Sequence, residues 1–247
     1  MNTRNIIAAL LLVFTAIALS AGENEPLPSA NAVVAAMLQH DAQRRTLTTG
    51  YQGMRRYVLE NERMHKQAEL LARVESGSDG TKHFEVVETD GWKAAEKHVF
   101  RKMLESEAEA SSPEVRATTQ VCPQNYDFQM VDRELVDGRP AYALDVTPKR
   151  HEERLFAGRI WIDAQDYALV KVEGKPAKNP SFWTKSIHFS HVYRKSGPLW
   201  YPVSTESVTD VRIFGTTKVT INYFDYSPKP LQTSETASVR LQAGQRQ

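Results

Sequence analysis

The sequence predicts a mainly β protein, an antiparallel meander of about ten strands accompanied by two substantial helices. The clearest signal lies in residues 181–226, which read as three long alternating strands joined by two tight turns. Similar segments, with apolar and polar residues in alternation, lie upstream, and the strands mostly follow one another directly. This order favours a barrel or an incomplete barrel.

The chain begins with a predicted signal peptide at residues 1–20, cleaved before Ala21. Arg4 precedes an apolar run over residues 6–19, and Ala18 and Ser20 supply the small side chains typical of a cleavage site. The run is short for a bilayer span, so a retained membrane anchor is the less favoured alternative. The cleavage position has no cysteine, which argues against a lipoprotein anchor. We expect a soluble mature chain in the exported compartment.

Charge and cysteine content narrow the class of function. Lys and Arg number 31 and Asp and Glu number 30, and loss of Arg4 with the signal peptide makes the two counts equal. A net charge near zero gives no overall attraction to nucleic acid. Cys122 is the only cysteine, so the fold must depend on its core. We expect Cys122 to be a small buried hydrophobe, with an intermolecular disulfide as the less favoured alternative.

After a polar linker at residues 21–28, the segment SANAVVAAMLQHDAQRR predicts the first helix. Ser29 is its expected N-cap, and two arginines stand at the C-terminal end, where the helix dipole favours positive charge. An apolar stripe at helical spacing predicts packing against the sheet, and its members are Val33, Val34, Met37 and Leu38.

Three strands are predicted next, at residues 50–60, 63–75 and 81–90. The first is rich in aromatic and β-branched side chains, and the second alternates between apolar and polar residues. Residues 77–80 have the composition of a turn. This period of two indicates a sheet with one face in water.

The period then changes to that of an amphipathic helix at residues 93–110, called the insert helix below. Its N-terminal half is basic and its C-terminal half is acidic, so both ends oppose the helix dipole. The helix should therefore depend on tertiary contact to stay formed. Two hypotheses stay open, a mobile lid and a helix fixed on the sheet.

Residues 111–123 read as a linker, and the remaining strands follow as hairpins. Turns are predicted at residues 137–138, 164–165 and 196–198 and near Gly215, with a proline- and lysine-containing loop at residues 174–180. Prolines after residue 226 end the sheet, and a polar tail at residues 231–247 is expected to be disordered. Residues 29–230 are thus predicted to form a single folded domain.

The sequence carries no recognisable catalytic motif. It has no nucleophile elbow, P-loop, dinucleotide-binding glycine pattern or CxxC pair. His188 and His191 stand on a predicted strand, where their rings point to opposite faces and make a poor metal-binding pair. We expect a protein that is not an enzyme and has no cofactor or metal, with a hydrolase built from scattered residues as the alternative.

A sheet with helices against it has an interior that is either hollow or filled, and the sequence leaves both alternatives open. If the interior is hollow, the inward apolar half of each strand should contact an apolar ligand. The predicted ligand-binding residues of this set are Tyr57, Leu70, Phe84, Met103 from the insert helix, Leu144, Trp161, Ile187, Phe189 and Val219.

Several phrases of the sequence resemble the outer-membrane lipoprotein-sorting group, which comprises proteins similar to LolA and LolB and shares its fold with RseB. They are RRYVLEN (55–61), GTKHFEV (80–86) and the pattern that runs from GRIWID (158–163) to INYFDY (221–226). The resemblance implies an incomplete antiparallel β-barrel of about ten to eleven strands, with helices covering its mouth and an apolar cavity for acyl chains. It also implies a periplasmic location and no cofactor.

The resemblance further implies that an arginine on an early strand contacts the lid. Arg55 and Arg56 are both candidates for this part of the ligand site. The insert helix departs from the LolA pattern, which continues after the position of Gly91 into an aromatic strand.

Three functions agree with these observations. The first is a periplasmic binder or carrier of acyl chains, such as lipoprotein anchors in outer-membrane lipoprotein sorting, with an inner- or outer-membrane protein as a further partner. The second is an RseB-like sensor that binds lipid or a mislocalised protein and signals by protein contact. The third is a structural periplasmic protein with a filled interior. The space beneath the insert helix distinguishes the first from the third.

Overall fold

Ten antiparallel strands form one open sheet, as the sequence predicts for an incomplete barrel. The computed structural model describes residues 26–213 and 215–229. The predicted signal peptide, residues 21–25 of the linker and the predicted tail lie outside the described residues.

The strands are β1 (Tyr51–Asn61), β2 (Lys66–Ser76), β3 (Lys82–Gly91), β4 (Tyr126–Val136), β5 (Arg139–Pro148), β6 (Phe156–Asp163), β7 (Leu169–Pro176), β8 (Thr184–Ser196), β9 (Leu199–Val211) and β10 (Gly215–Pro228). The helices are α1 (Ala30–Arg45), α2 (Lys93–Ala95), α3 (Arg101–Ala110) and α4 (Pro113–Thr119), with a π-helical turn (Glu96–Phe100) between α2 and α3.

The strand order is β3-β2-β1-β10-β9-β8-β7-β6-β5-β4. Among the described strands, every pairing joins strands that are consecutive in the chain except the antiparallel pairing of β1 with β10, and the consecutive strands β3 and β4 do not pair. The two edges of the sheet are therefore β3 and β4. The chain leaves the sheet between these edges and forms the helices of residues 93–119, so the helical segment belongs to the opening of the barrel.

Helix α1 covers one half of the sheet. Ser29 caps it by accepting a hydrogen bond from the Ala32 N–H at 3.2 Å. The predicted apolar stripe is buried except for Leu38, which is partly buried. Together with strand residues this stripe forms a core of Val33, Val34, Met37, Tyr126, Tyr142, Leu144, Val146, Leu155, Ile160, Ile162 and Val172. We call the face that carries α1 the inner face of the sheet.

The insert helix covers the other half of the same face. It spans the predicted residues 93–110, and its Ala95 and Phe100 are fully buried. They pack on inward side chains of β1, β2 and β10, which form a second core of Tyr57, Leu59, Ala68, Leu70, Ala72 and Ile221. The predicted tertiary support is thus supplied to the N-terminal half of the insert helix, which contains the π-helical turn.

Two expectations need correction. Residues 111–123 are not only a linker, because they contain α4, which starts at Pro113 and is capped by the Ser112 side chain. Trp161 does not face inward, since its neighbours Ile160 and Ile162 point into the first core. Trp161 packs on the outer face with Ala141, Ala143 and Val170.

Gly158 marks a close approach of β6 to β7, where it pairs with Gly174. A Cβ atom at Gly158 would lie 2.0 Å from the Glu173 carbonyl oxygen, a backbone atom that cannot move away alone. We expect Gly158→Ala to lower the free energy of unfolding by about 2 kcal/mol, measured by chemical denaturation. Gly77→Ala is the control, because its added Cβ would lie 3.0 Å from the Asp79 side chain, which can move, and 4.0 Å from the Thr81 carbonyl oxygen, an ordinary contact distance. Equal stability of the two variants would contradict the prediction.

Candidate functional site

An apolar groove lies between the insert helix and the inner face of β8, β9 and β10. Its volume is about 680 Å³, which is within the usual range for ligand-binding pockets. The groove is lined by Leu59, Asn61, Trp92, Ala94, His98, Val99, Met103, Ile187, Ser207, Thr209, Val211, Thr217 and Val219.

The groove exists because small residues occupy the inner face of β9, between the parts of the sheet on which the two helices pack most closely. On β9 the inward positions are Ser207 and Thr209, and Thr209 pairs with Ile187 on one side and Thr217 on the other. Helix α1 packs over β4 to β7, and the insert helix packs over β1, β2 and β10. The strands between these two regions therefore form the floor of a space that large side chains fill elsewhere.

A buried ion pair connects the insert helix to the sheet. Arg55 Nη1 donates to Glu107 Oε1 at 2.6 Å, and Lys82 Nζ donates to the same oxygen at 2.9 Å. The Arg55 side chain is only 1% exposed, and that of Glu107 is 28% exposed. Burial opposes ionisation of Glu107, but the charges of Lys82 and Arg55 outweigh it and lower the pKa of the carboxyl to about 2.

Arg55 is the early-strand arginine that contacts the insert helix. Its guanidinium also lies 5.1 Å from the centre of the Phe84 ring and 4.8 Å from that of Tyr223. Arg56 is on the other face, exposed, with Nη1 3.8 Å from Glu69 Oε2. Among the described residues, Arg55 Nε and Nη2 and the Tyr57 hydroxyl have no hydrogen-bond partner.

A chain of polar side chains crosses the inner face between the two cores. His191 Nδ1 lies 2.6 Å from Thr205 Oγ1, which lies 2.9 Å from the Tyr223 hydroxyl. Burial lowers the pKa of His191 to about 4, with a smaller opposing effect from Glu107, and burial raises the pKa of Tyr223 to about 12. The imidazole is therefore neutral at pH 7. His188, on the same strand, points outward and is exposed.

The structure distributes the predicted ligand-binding residues over four environments. Met103, Ile187 and Val219 line the groove. Arg55, Tyr57, Leu70 and Phe84 surround the contact between the insert helix and β1 to β3. Leu144 and Phe189 belong to the first core, and Trp161 is on the outer face.

The sequence-based set omits most of the groove lining. Leu59 and Val99 were predictable, because Leu59 lies two residues from Tyr57 on the same face of its strand and Val99 lies on the same helical stripe as Met103. Ser207, Thr209 and Thr217 carry no apolar signal. Only their positions in the strand pairing, beside Ile187 and Val219, place them on the inner face.

Within residues 26–213 and 215–229, no three His, Cys, Asp or Glu side chains are grouped so that they could hold a metal ion. In the same residues, every helix falls short of the length and apolar character that crossing a membrane demands. Cys122 is buried.

Comparisons with known proteins give one family match and several structural similarities. Residues 119–227, less than half of the chain, match a family of unknown function, DUF5686. No curated protein matches the chain significantly.

Among solved structures, the chain is similar to a LolA superfamily protein from Nitrosomonas europaea, with 10% identity, a TM-score of 0.46, and coverage of 83% of this chain and 96% of that one. A DUF1329 family protein from Desulfovibrio piger has 11% identity and a TM-score of 0.45, with coverage of 84% and 96%. The MucA/MucB complex from Pseudomonas aeruginosa has 12% identity and a TM-score of 0.28, with coverage of 82% and 99%. The LolA superfamily is the group that the sequence resembles.

Proposed function

We propose that the protein is a periplasmic binder and carrier of acyl chains, such as the lipid anchors of lipoproteins, and is not an enzyme. The observation that supports this most is the apolar groove of about 680 Å³ beneath the insert helix. A filled interior, as the structural alternative requires, would place large side chains where Ser207 and Thr209 stand.

The groove lining suits a hydrocarbon chain. Trp92, Val99 and Met103 form one wall, and Ile187 and Val219 lie opposite on the sheet. Each methylene that leaves water for such a site contributes about 0.8 kcal/mol, so affinity should rise with chain length. The lining offers few charged groups, which favours the tail of an amphiphile over its head group.

Filling the groove tests this proposal. Thr209→Phe places a bulky apolar side chain on the groove floor, and we expect at least a tenfold loss of affinity for a fluorescent fatty acid, about 1.4 kcal/mol, measured by titration. Val208→Phe is the matched control, because Val208 is the adjacent residue on the outer face of β9 and should leave binding unchanged. Wild-type protein that takes up no probe, or equal losses in both variants, would refute the proposal.

A further inference from the structure

The end of the sheet beside the groove exposes large apolar side chains. Phe182, Trp183 and Ile213 are 76%, 52% and 53% exposed, and Met64 is 37% exposed. We call these four side chains the apolar tip. They come from three separate connections, the loop before β8, the β9–β10 turn and the β1–β2 turn. Exposed apolar groups that gather from distant parts of a chain indicate an interaction surface.

Two arginines hold these connections together. Arg212 donates its backbone N–H to the Trp183 carbonyl at 2.9 Å and its Nε to the Phe182 carbonyl at 3.3 Å. Its guanidinium lies 5.1 Å from the centre of the Phe182 ring. Arg63 Nη1 donates to the Ile213 carbonyl at 2.9 Å. The apolar tip is therefore ordered by hydrogen bonds, and its aromatic side chains remain exposed.

The end of the sheet that carries the apolar tip is also positively charged. In residues 26–213 and 215–229, Arg63, Lys66 and Arg212 form no ion pair, whereas Lys185 is balanced by Asp210 at 3.4 Å. The exposed Glu62 is the acidic residue of the β1–β2 turn. The surplus of positive charge at this end contrasts with the near-neutral chain as a whole.

The apolar tip adjoins one end of the groove. Asn61 and Val211 line the groove, and they lie two residues before Arg63 and one residue before Arg212. A surface in contact with the apolar tip therefore lies next to that end of the groove.

We propose that the apolar tip docks on a lipid bilayer with anionic head groups. Phe182 and Trp183 would lie at the head-group level, as aromatic side chains do at membrane interfaces, and the two arginines would contact lipid phosphates. The groove then opens towards the acyl layer, and a chain enters it without crossing water. This inference goes beyond acyl-chain binding, because docking does not require an occupied groove.

Cosedimentation with vesicles tests docking, using the chain from Ala21 onward. We expect binding to vesicles of phosphatidylglycerol and phosphatidylcholine, and a loss of about tenfold for the double variant Phe182→Ser/Trp183→Ser. Arg63→Gln/Arg212→Gln keeps hydrogen-bond donors at both positions and should lose about fivefold for each charge on anionic vesicles. Leu135→Ser, at a 74% exposed position on the edge strand β4, is the control and should bind as wild type does.

Failure of docking is distinguishable from failure of acyl-chain binding. The fatty-acid titration in solution reports the groove alone, and the tip variants should keep wild-type affinity for that probe. Wild-type protein that binds the probe but not anionic vesicles overturns the docking proposal, as does a Phe182→Ser/Trp183→Ser protein that sediments as much as wild type does. Recovery of a protein partner through the apolar tip without vesicle binding overturns it as well. Circular dichroism checks that each variant is folded.

Discussion

Glu107→Ala is expected to lower the free energy of unfolding by about 3 kcal/mol at pH 7, because it leaves the charge of Arg55 buried without its acidic partner. Arg55 is 1% exposed and donates to Glu107 at 2.6 Å. Because the Glu107 side chain is still partly exposed, the expected loss of unfolding free energy is at the lower end of the range for broken buried ion pairs. Urea denaturation measures it.

The same pair should control stability in acid. The pKa of Glu107 is lowered to about 2 in the folded protein, from an ordinary value near 4.5. Its contribution is therefore complete above about pH 4.5 and is lost as the pH falls from there to about 2. The difference between wild type and Glu107→Ala should vanish over that interval.

Glu109→Ala is the matched control on the same helix. Glu109 pairs with Arg154 at 2.6 Å, but both side chains are well exposed, so its removal should cost less than about 1 kcal/mol. Equal effects of the two variants would show that the Arg55 pair does not anchor the insert helix.

His191 should make the protein less stable in mild acid. Its pKa in the folded protein is about 4, against about 6.5 for an unperturbed histidine, because burial disfavours the charged ring. The unfolded chain binds a proton first, so the contribution of His191 is complete above about pH 6.5 and is lost as the pH falls to about 4. Since the ring is only partly buried, we expect a loss of about 2 kcal/mol.

His191→Gln should flatten the stability profile between pH 6.5 and 4. His188→Gln is the control, since His188 is exposed on the outer face of the same strand and should leave the profile as in wild type. Denaturant unfolding at a series of pH values measures both. A wild-type profile that is already flat over this range would contradict the assignment.

The strand pattern was predictable from the sequence because alternation and turn residues act locally. The β4–β5 turn lies at the predicted residues 137–138, and α1 begins at the predicted cap Ser29. The pairing of β1 with β10 brings together residues that are 156 to 177 positions apart in the chain, and no local signal specifies it. Helix α4 was missed because its seven residues are too few to show a helical period.

The candidate site was less predictable for a different reason. Alternation along a strand shows which residues share a face. It does not show which face points inward, because that depends on what packs against the sheet. Trp161 was predicted to point inward with the apolar half of its strand, yet its neighbours Ile160 and Ile162 point into the first core and Trp161 lies on the outer face. The groove itself is formed by small hydroxyl side chains such as Thr209, which have no hydrophobic signal.

The β1–β10 pairing has a consequence for the way the protein folds. Strands β4 to β9 can assemble from neighbouring hairpins, but β1, β2 and β3 join them only through the last strand. Closing this contact carries the entropy of a long loop, which makes the joining of the two ends a slow step. We therefore expect a chain that lacks residues 215–228 to hold two separate partial sheets, and the groove to form only when the final strand is in place.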